Sequence, residues 1–284
     1  MSFSSNIKKE ISKINNLSDK ESINAEFMGY ILTCNVNITE DKLVFKTENQ
    51  YNINRFAKLL NNLNINNYEI EIKGKSYLIT VNEKLNLANL SKIDETKEKN
   101  LKAIVRGAFL GSGSLNNPEN KYHLEIILNS EKNVIYIQNI INKYNISGKV
   151  LERKQGYSLY IKDGEEISKL LAFIGAGKSV LKFEEIRVVR ETRNNVNRIV
   201  NCETANLNKI IDASMQQIKA IKDIKKMNAF DTLPDTLQEI ANLRIDNPEI
   251  SLMELGKMLK KPIGKSGVNH RMKKIQQIAD ELRK

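Results

Sequence analysis

Residues 101–115 read LKAIVRGAFLGSGSL, and this stretch decides the fold. At helical spacing, three small residues fall on one stripe: Ala103, Gly107 and Gly111. Glycine lowers helix stability, so a stripe of this kind is favourable only where a second backbone approaches very closely. The helix is expected to end near residues 112–114, with glycine as its C-cap. The stretch therefore predicts a central helix in direct contact with another backbone segment.

A second copy of this pattern lies 78 residues upstream, where residues 25–35 read AEFMGYILTCN. Its small stripe consists of Ala25, Gly29 and Thr33. Strand-like, helix-like and strand-like segments follow both copies in the same order. The repeat predicts two related units, about residues 22–81 and 101–163, arranged as a pseudo-twofold pair around the two helices.

The segments outside the repeats also carry helical patterns. Helices are predicted over residues 3–14 and 165–183, and residues 85–100 predict a polar helix or connector between the repeats. A long amphipathic helix is predicted over residues 203–227.

Bulk composition limits the possible functions. The chain has 284 residues, of which 40% are hydrophobic, and this suits one large domain or two medium ones. A net charge of +11 favours an anionic partner, with double-stranded DNA ahead of a membrane surface. Cys34 and Cys202 are the only cysteines, so neither a zinc site nor another cofactor is expected. Without an apolar run of membrane-spanning length, the protein is expected in the cytoplasm, associated with the nucleoid.

Two nine-residue stretches carry a family resemblance. VRGAFLGSG at 105–113 and FMGYILTCN at 27–35 resemble the paired LAGLIDADG motifs of homing endonucleases. Together with NRIVNCETAN at 197–206 and SGVNHR at 266–271, they make the whole chain resemble the WhiA family of sporulation and cell-division regulators of Gram-positive bacteria. The resemblance implies an α+β fold, in which a LAGLIDADG-type αββαββα domain precedes an all-α helix-turn-helix domain.

The expected domain boundaries follow from this resemblance and from the repeats. Residues 1–190 form a degenerate LAGLIDADG-like domain, residues 191–227 a linker and long helix, and residues 228–284 a helix-turn-helix domain.

The acidic pair of the LAGLIDADG nucleases is missing. Those enzymes need a carboxylate near the end of each central helix to hold divalent metals. Here the two positions are Cys34 and Ser112, and neither a thiol nor a hydroxyl holds Mg²⁺ against water. Neither Asn35 nor Gly113 replaces them, and Glu26 lies about two helical turns away. The sequence therefore predicts a degenerate nuclease site, no metal and no enzyme activity.

Other catalytic interpretations are weaker. The chain contains only His123 and His270, and neither stands at a spacing that builds a nucleophile–base pair. GAGKS at 175–179 lacks the first glycine of a P-loop, because Ala172 occupies that position.

The C-terminal residues predict a helix-turn-helix. A helix is expected over residues 235–245, and the capping box between Ser251 and Glu254 opens a short helix, SLMELGKML. The loop KKPIGKSG follows, and the last helix, VNHRMKKIQQIADELR, has an apolar face: Val268, Met272, Ile275, Ile278 and Ala279. The loop is longer than in the simplest helix-turn-helix proteins and resembles that of sigma-factor DNA-binding domains, so the angle of the last helix stays open.

The first half of the last helix has the layout of a recognition helix, whose N-terminal residues enter the major groove. Asparagine suits adenine, arginine suits guanine, and lysines suit phosphates. The predicted DNA-binding residues are Ser266, Asn269, His270, Arg271, Lys273, Lys274, Lys257, Lys260, Lys261 and Lys265.

Three functions are consistent with these patterns. The leading hypothesis is a DNA-binding transcriptional regulator in sporulation, cell division or chromosome segregation, with further DNA contacts from the first domain at Lys73, Lys75, Arg153 and Lys162. In the second, the LAGLIDADG-like domain acts mainly as a platform for another regulatory protein. The third, a residual homing endonuclease, conflicts with the missing acidic pair.

Overall fold

The computed structural model describes residues 2–15, 18–39, 41–83 and 93–283. The chain divides into two compact units, Met1–Glu191 and Thr192–Lys284, and each unit has its own cluster of buried apolar side chains. Among the described residues, no helix combines the length and apolar character needed to cross a membrane.

The first repeat of the N-terminal unit is an α-helix followed by two strands, a helix and two further strands. A short helix, α1, precedes it. The elements are α1 (Phe3–Ile11), α2 (Lys20–Ile31), β1 (Val36–Ile38), β2 (Leu43–Thr47), α3 (Gln50–Asn62), β3 (Tyr68–Lys73) and β4 (Ser76–Val81). Its antiparallel sheet has the strand order β1-β2-β4-β3.

The second repeat has the same topology. Its elements are α4 (Glu98–Ser112), β5 (Ser114–Leu115), β6 (Leu124–Leu128), α5 (Glu131–Asn142), β7 (Lys149–Arg153) and β8 (Gly156–Ile161), and α6 (Gly164–Phe173) follows them. The antiparallel sheet has the order β5-β6-β8-β7, which corresponds strand by strand to the first sheet. The predicted α+β fold, with an αββαββα domain built from two related repeats, is confirmed.

The two central helices, α2 and α4, touch through their glycines. A Cβ atom added to Gly29 would lie 2.1 Å from the carbonyl oxygen of Ile104, and one added to Gly107 would lie 2.0 Å from that of Glu26. No real Cβ contact is that short, so only glycine allows the two backbones to come so close. This contact is the close approach that the small stripes predict.

Helix α4 ends where the sequence predicts, but the reason for glycine at this end is not the one expected for a helix C-cap. Gly113 is the C-cap residue, yet its φ of −66° lies outside the left-handed region. A side chain is excluded for a steric reason, because an added Cβ would lie 2.5 Å from the carbonyl oxygen of Phe109.

The prediction of a single helix over residues 165–183 is wrong. Helix α6 ends at Phe173, and a new helix, α7 (Gly177–Lys226), begins four residues later. Gly175 adopts a φ of +90°, a conformation that interrupts an α-helix and that glycine adopts without strain. Helix α7 is also longer than the helix predicted over residues 203–227. Of the connector predicted over residues 85–100, residues 85–92 lie outside the described residues, and α4 begins at Glu98.

In the C-terminal unit, three α-helices follow a 3₁₀ turn at Phe230–Thr232. They are α8 (Asp235–Asp246), α9 (Leu252–Lys257) and α10 (Lys265–Leu282). The predicted inner face of α10 is confirmed at Val268, Met272, Ile275 and Ala279, which are buried, whereas Ile278 is half-buried.

Helix α10 begins at Lys265, three residues earlier than predicted. The loop before it is tight, since the backbone N–H of Ile263 donates to the carbonyl of Gly256 at 3.2 Å. An added Cβ on Gly256 would lie 2.3 Å from the carbonyl oxygen of Ile263, so this turn also requires glycine.

Candidate nucleic-acid interface

A capping box fixes the start of α9. The Ser251 hydroxyl accepts a hydrogen bond from the Glu254 N–H at 3.3 Å, and the Glu254 carboxylate accepts one from the Ser251 N–H at 2.9 Å. The hydrogen bond from the Ser251 backbone N–H to the carboxylate is the main cause that lowers the pKa of Glu254. The predicted box is confirmed, and it satisfies two N–H groups that the first turn of a helix leaves without partners.

Four of the predicted DNA-binding residues lie on one face of α10. These four exposed residues are spaced three, one and three positions apart along the helix: Ser266, Asn269, His270 and Lys273. The buried residues of α10 occupy the opposite face, which packs into the core of the unit. This arrangement leaves the N-terminal half of the helix open to a ligand along its whole outer surface.

Arg271 differs from its neighbours because it is half-buried. Its Nη1 atom lies 3.5 Å from the carbonyl oxygen of Thr236, at the outer limit of a hydrogen bond. The guanidinium therefore lies at the edge of the exposed face, next to α8.

Six lysines surround this face, and all six are exposed: Lys257, Lys260, Lys261, Lys265, Lys273 and Lys274. In the part of the chain that the structure describes, none of their ammonium groups lies within 4.0 Å of a carboxylate. Other lysines do form such pairs, for example Lys97 with Glu21 at 2.8 Å. The ammonium groups around α10 thus form no close ion pair with a described carboxylate and are accessible to phosphate groups.

The sequence patterns did not reveal one part of this surface, the first turn of α10. The N-cap residue is Gly264, which supplies no side-chain cap, so the backbone N–H groups of that turn have no side-chain partner among the described residues. Such groups at a helix N-terminus favour anions. Gly264 itself could have indicated that a helix starts here, because glycine is acceptable at N-cap positions.

Ser112 and Cys34, at the positions where the LAGLIDADG nucleases carry carboxylates, both form hydrogen bonds with the backbone of Ile127. The Ser112 hydroxyl donates to the Ile127 carbonyl at 2.7 Å and accepts from the Ile127 N–H at 3.0 Å, while the Cys34 N–H donates to the same carbonyl at 3.2 Å. Partial desolvation raises the pKa of the Cys34 thiol, which favours its neutral form. Next to it, Asn35 donates to the Gly111 carbonyl at 2.8 Å.

The residues at this position do not fit a divalent metal. Glu26, the nearest carboxylate on α2, is fully buried and binds Arg55 through both oxygens, at 2.7 and 2.8 Å. Arg106 adds a third contact at 3.4 Å. Among the described residues, no group of three or more His, Cys, Asp or Glu side chains could hold a metal ion.

Two of the four cations predicted to add DNA contacts from the first domain have a carboxylate partner: Lys73 lies 2.7 Å from Glu71, and Arg153 lies 2.5 Å from Glu125. Lys162 lies over the Tyr160 ring at 5.1 Å, and Lys75 is exposed with no carboxylate within 4.0 Å among the described residues.

Comparison with known proteins identifies both parts of the chain. The sequence-family model for the WhiA LAGLIDADG-like domain matches residues 101–193. The sequence-family model for the WhiA C-terminal HTH domain matches residues 196–279. The first match covers the second repeat and the residues that follow it, and the second covers the helix-turn-helix described above.

Relatives and a solved structure extend the match to the whole chain. The probable cell division protein WhiA of Clostridium tetani is 39% identical, and the match covers 100% of this chain and 99% of that protein. A homologue of the same name from Clostridium acetobutylicum is 51% identical over 187 residues, which are 66% of this chain and 59% of that protein. The crystal structure of full-length WhiA from Thermotoga maritima matches with a TM-score of 0.63 at 28% identity and covers 99% of both chains. The chain belongs to the WhiA family.

Proposed function

We propose that this protein is a sequence-specific DNA-binding transcriptional regulator that uses α10 as its recognition helix. The observation that carries the proposal is the positive charge of six lysines around the outer face of α10, all exposed and none within 4.0 Å of a described carboxylate. Because its relatives are named probable cell division proteins, we place its role in cell division, and further in sporulation and chromosome segregation. It acts in the cytoplasm, on the nucleoid.

Each residue type has its own task in this proposal. Asn269 and Arg271 read base edges in the major groove, with Ser266 and His270 beside them. The lysines and the first-turn N–H groups of α10 bind phosphates, which fix position but carry no sequence information. Binding therefore weakens steeply with salt concentration.

Loss of nuclease activity is the second part of the proposal. Its support is the chemistry at the ends of the central helices, where a hydroxyl bonded to Ile127 and a neutral thiol replace two carboxylates. Without charged ligands, this position does not gather the divalent cations that phosphodiester cleavage requires. Incubating plasmid DNA with the purified protein and Mg²⁺ or Mn²⁺ tests this part, and the DNA is expected to stay intact.

A genome-wide DNA pull-down with the intact protein tests the main proposal. We expect discrete peaks that share a sequence motif, and we expect them to vanish in the Asn269→Ala/Lys274→Ala variant. Lys222→Ala is the control, because Lys222 is an exposed lysine of α7 that is not among the predicted DNA-binding residues. Peaks that persist in the double variant would contradict the assignment of α10.

A second candidate function is a protein-interaction platform on the N-terminal unit. The observation that favours it is the exposure of large apolar side chains on β3 and β7, with Ile72 70% and Leu151 47% exposed. Exposed apolar groups on edge strands suit a protein partner better than DNA. An Ile72→Lys/Leu151→Lys variant that keeps its DNA peaks but loses the cellular role would support this platform.

A further inference from the structure

The middle of helix α7 is exposed on all sides. Every residue from 191 to 209 is exposed. Four large apolar side chains lie among or next to these residues, each 51–53% exposed: Val189, Val196, Val200 and Leu207. A helix usually gains most of its stability by packing an apolar face against a neighbour. Apolar side chains that stay exposed along one segment often mark an interaction surface.

These apolar residues lie on one line along the helix. Together with two charged residues they are spaced four, three, four, three and four positions apart: Val189, Arg193, Val196, Val200, Glu203 and Leu207. We call these six residues the α7 seam. Alternating spacings of three and four are the a/d pattern of a coiled coil, in which such a line packs against a second helix. The spacing therefore indicates that the partner of the α7 seam is another helix.

The two charged residues of the α7 seam form no ion pair inside the described part of the chain. Neither the Arg193 guanidinium nor the Glu203 carboxylate lies within 4.0 Å of an opposite charge there. Arg187 on the same helix does have such partners, because it pairs with Glu184 at 3.1 Å and with Glu191 at 3.0 Å. A charge at a core position of a coiled coil costs stability unless the facing helix supplies its counterpart. A fitting partner therefore offers an acidic group opposite Arg193 and a basic group opposite Glu203.

A second copy of this chain offers both groups. When two seams run antiparallel about a two-fold axis at residue 198, each position faces its mirror position in the other copy. Three kinds of facing pair result, and each occurs twice: Arg193 with Glu203, Val189 with Leu207, and Val196 with Val200. We propose that this protein forms an antiparallel homodimer through the α7 seam.

Other arrangements of two seams fit less well. In a parallel dimer, Arg193 would face Arg193 and Glu203 would face Glu203, so like charges would meet. In an antiparallel dimer displaced by one heptad, each of these charges would face an apolar side chain. The two charges thus select both the direction and the register of the pairing. The exposed Ile199 flanks the seam next to the two-fold axis, so its two copies extend the apolar contact.

Dimerisation goes beyond the proposed function and does not depend on it. If α10 is the recognition helix, the dimer carries two of them, and this consequence alone rests on the proposed function. A dimer that binds no DNA would refute the proposed function and leave the dimer interface standing.

The first test measures the mass of the full-length protein in solution. Sedimentation equilibrium over a range of micromolar concentrations should show a reversible equilibrium between monomer and dimer. Val200→Glu should keep the protein monomeric, because it places an unpaired charge in two apolar layers of the interface. Val200 is exposed within one chain, so this variant should fold normally, and circular dichroism confirms that it does.

Charge-swap variants test the register. Arg193→Glu and Glu203→Arg each turn two attractive pairs into repulsive ones, and each should weaken the dimer at least about tenfold. The double variant Arg193→Glu/Glu203→Arg restores both pairs and should dimerise as well as the wild type. An equimolar mixture of the two single variants should form a heterodimer for the same reason. Arg198→Glu is the matched control, because this exposed arginine lies on the opposite face of α7 and its loss should leave the dimer unchanged.

Four results would overturn the proposal. A wild-type protein that stays monomeric at every concentration would exclude a second copy as the partner of the seam. A Val200→Glu variant that dimerises as well as the wild type would place the interface elsewhere. Single charge variants that dimerise as well as the wild type would indicate a parallel dimer. A double variant that dimerises no better than the single ones would contradict the pairing of Arg193 with Glu203.

Discussion

Ser112 and Ile127 form a reciprocal pair of hydrogen bonds, in which the serine hydroxyl donates to the isoleucine carbonyl at 2.7 Å and accepts from its N–H at 3.0 Å. The Ser112 side chain thus anchors β6 to the end of α4. The residue has a structural role that a carboxylate could not take over, because an ionised carboxylate donates no hydrogen bond.

We therefore predict that Ser112→Asp destabilises the N-terminal unit more than Ser112→Ala does. The alanine variant should lose about 1–2 kcal/mol of the free energy of unfolding, and the aspartate variant more, since its charge faces the Ile127 carbonyl. Urea unfolding measures both. Ser114→Ala is the control, because Ser114 is exposed and should tolerate the change. Equal stability of Ser112→Asp and the wild type would contradict this role.

The glycine contact between α2 and α4 gives a second prediction. Gly29→Ala or Gly107→Ala should destabilise the unit by at least about 3 kcal/mol, because each added methyl group meets backbone atoms that cannot move aside. The midpoint of thermal or urea unfolding measures the effect. Gly177→Ala is the matched control: no atom lies within 4 Å of its added Cβ, and alanine favours a helix. Similar effects at all three glycines would argue against a special contact.

A third prediction concerns pH and Lys8. Burial lowers the pKa of Lys8 from its ordinary value of 10.5 to about 8. Below about pH 8 the half-buried lysine is charged in both states, and the folded state carries the cost of its partial desolvation. Between about pH 8 and 10.5 the unfolded chain binds more protons, so the free energy of unfolding rises with pH.

Lys8→Met should therefore be more stable than the wild type near neutral pH, and the advantage should shrink toward pH 10.5. Urea unfolding midpoints of both proteins across this pH range measure the difference in their stability. Other titrating groups affect both proteins alike, so their contribution cancels in this difference. Lys13→Met is the control, since Lys13 is exposed. A constant difference between Lys8→Met and the wild type at every pH would show that Lys8 does not titrate in this window.

A fourth prediction separates base contacts from phosphate contacts on α10. Lys274→Ala should weaken binding to all DNA sequences alike and reduce the slope of log affinity against log salt by about one. Asn269→Ala should instead lower the affinity for the specific site by about 1–3 kcal/mol and relax the preference at one base pair. Fluorescence anisotropy titrations over a range of salt concentrations measure both. If Lys222→Ala changes the salt slope as much as Lys274→Ala, the assignment of phosphate contacts to α10 is wrong.

The features that the sequence predicts well are those with a local steric cause. Gly29 and Gly107 stand at helical spacing among apolar residues, and this pattern has few explanations other than close backbone contact. The capping box at Ser251 and Glu254 is equally local, because both partners lie within one turn.

The features that the sequence did not predict depend on backbone conformation or on distant contacts. Gly175 interrupts an otherwise continuous helical pattern because of its positive φ, which residue type alone does not reveal. The bonds of Ser112 to Ile127 join residues that sequence periodicity does not relate. The start of α10 was predicted too late because Gly264 and Lys265 look like loop residues until the turn from Gly256 to Ile263 is known.

The contact between Gly29 and Gly107 also sets the order of events during synthesis. Helix α2 leaves the ribosome 78 residues before the surface it must pack against, and at cellular rates of about 5–20 residues per second the wait is roughly 4–16 s. Throughout that interval the first repeat exposes the apolar residues that flank its glycine. The nascent chain is therefore open to aggregation or chaperone binding until α4 emerges, and variants that slow translation between the repeats should lower the yield of folded protein.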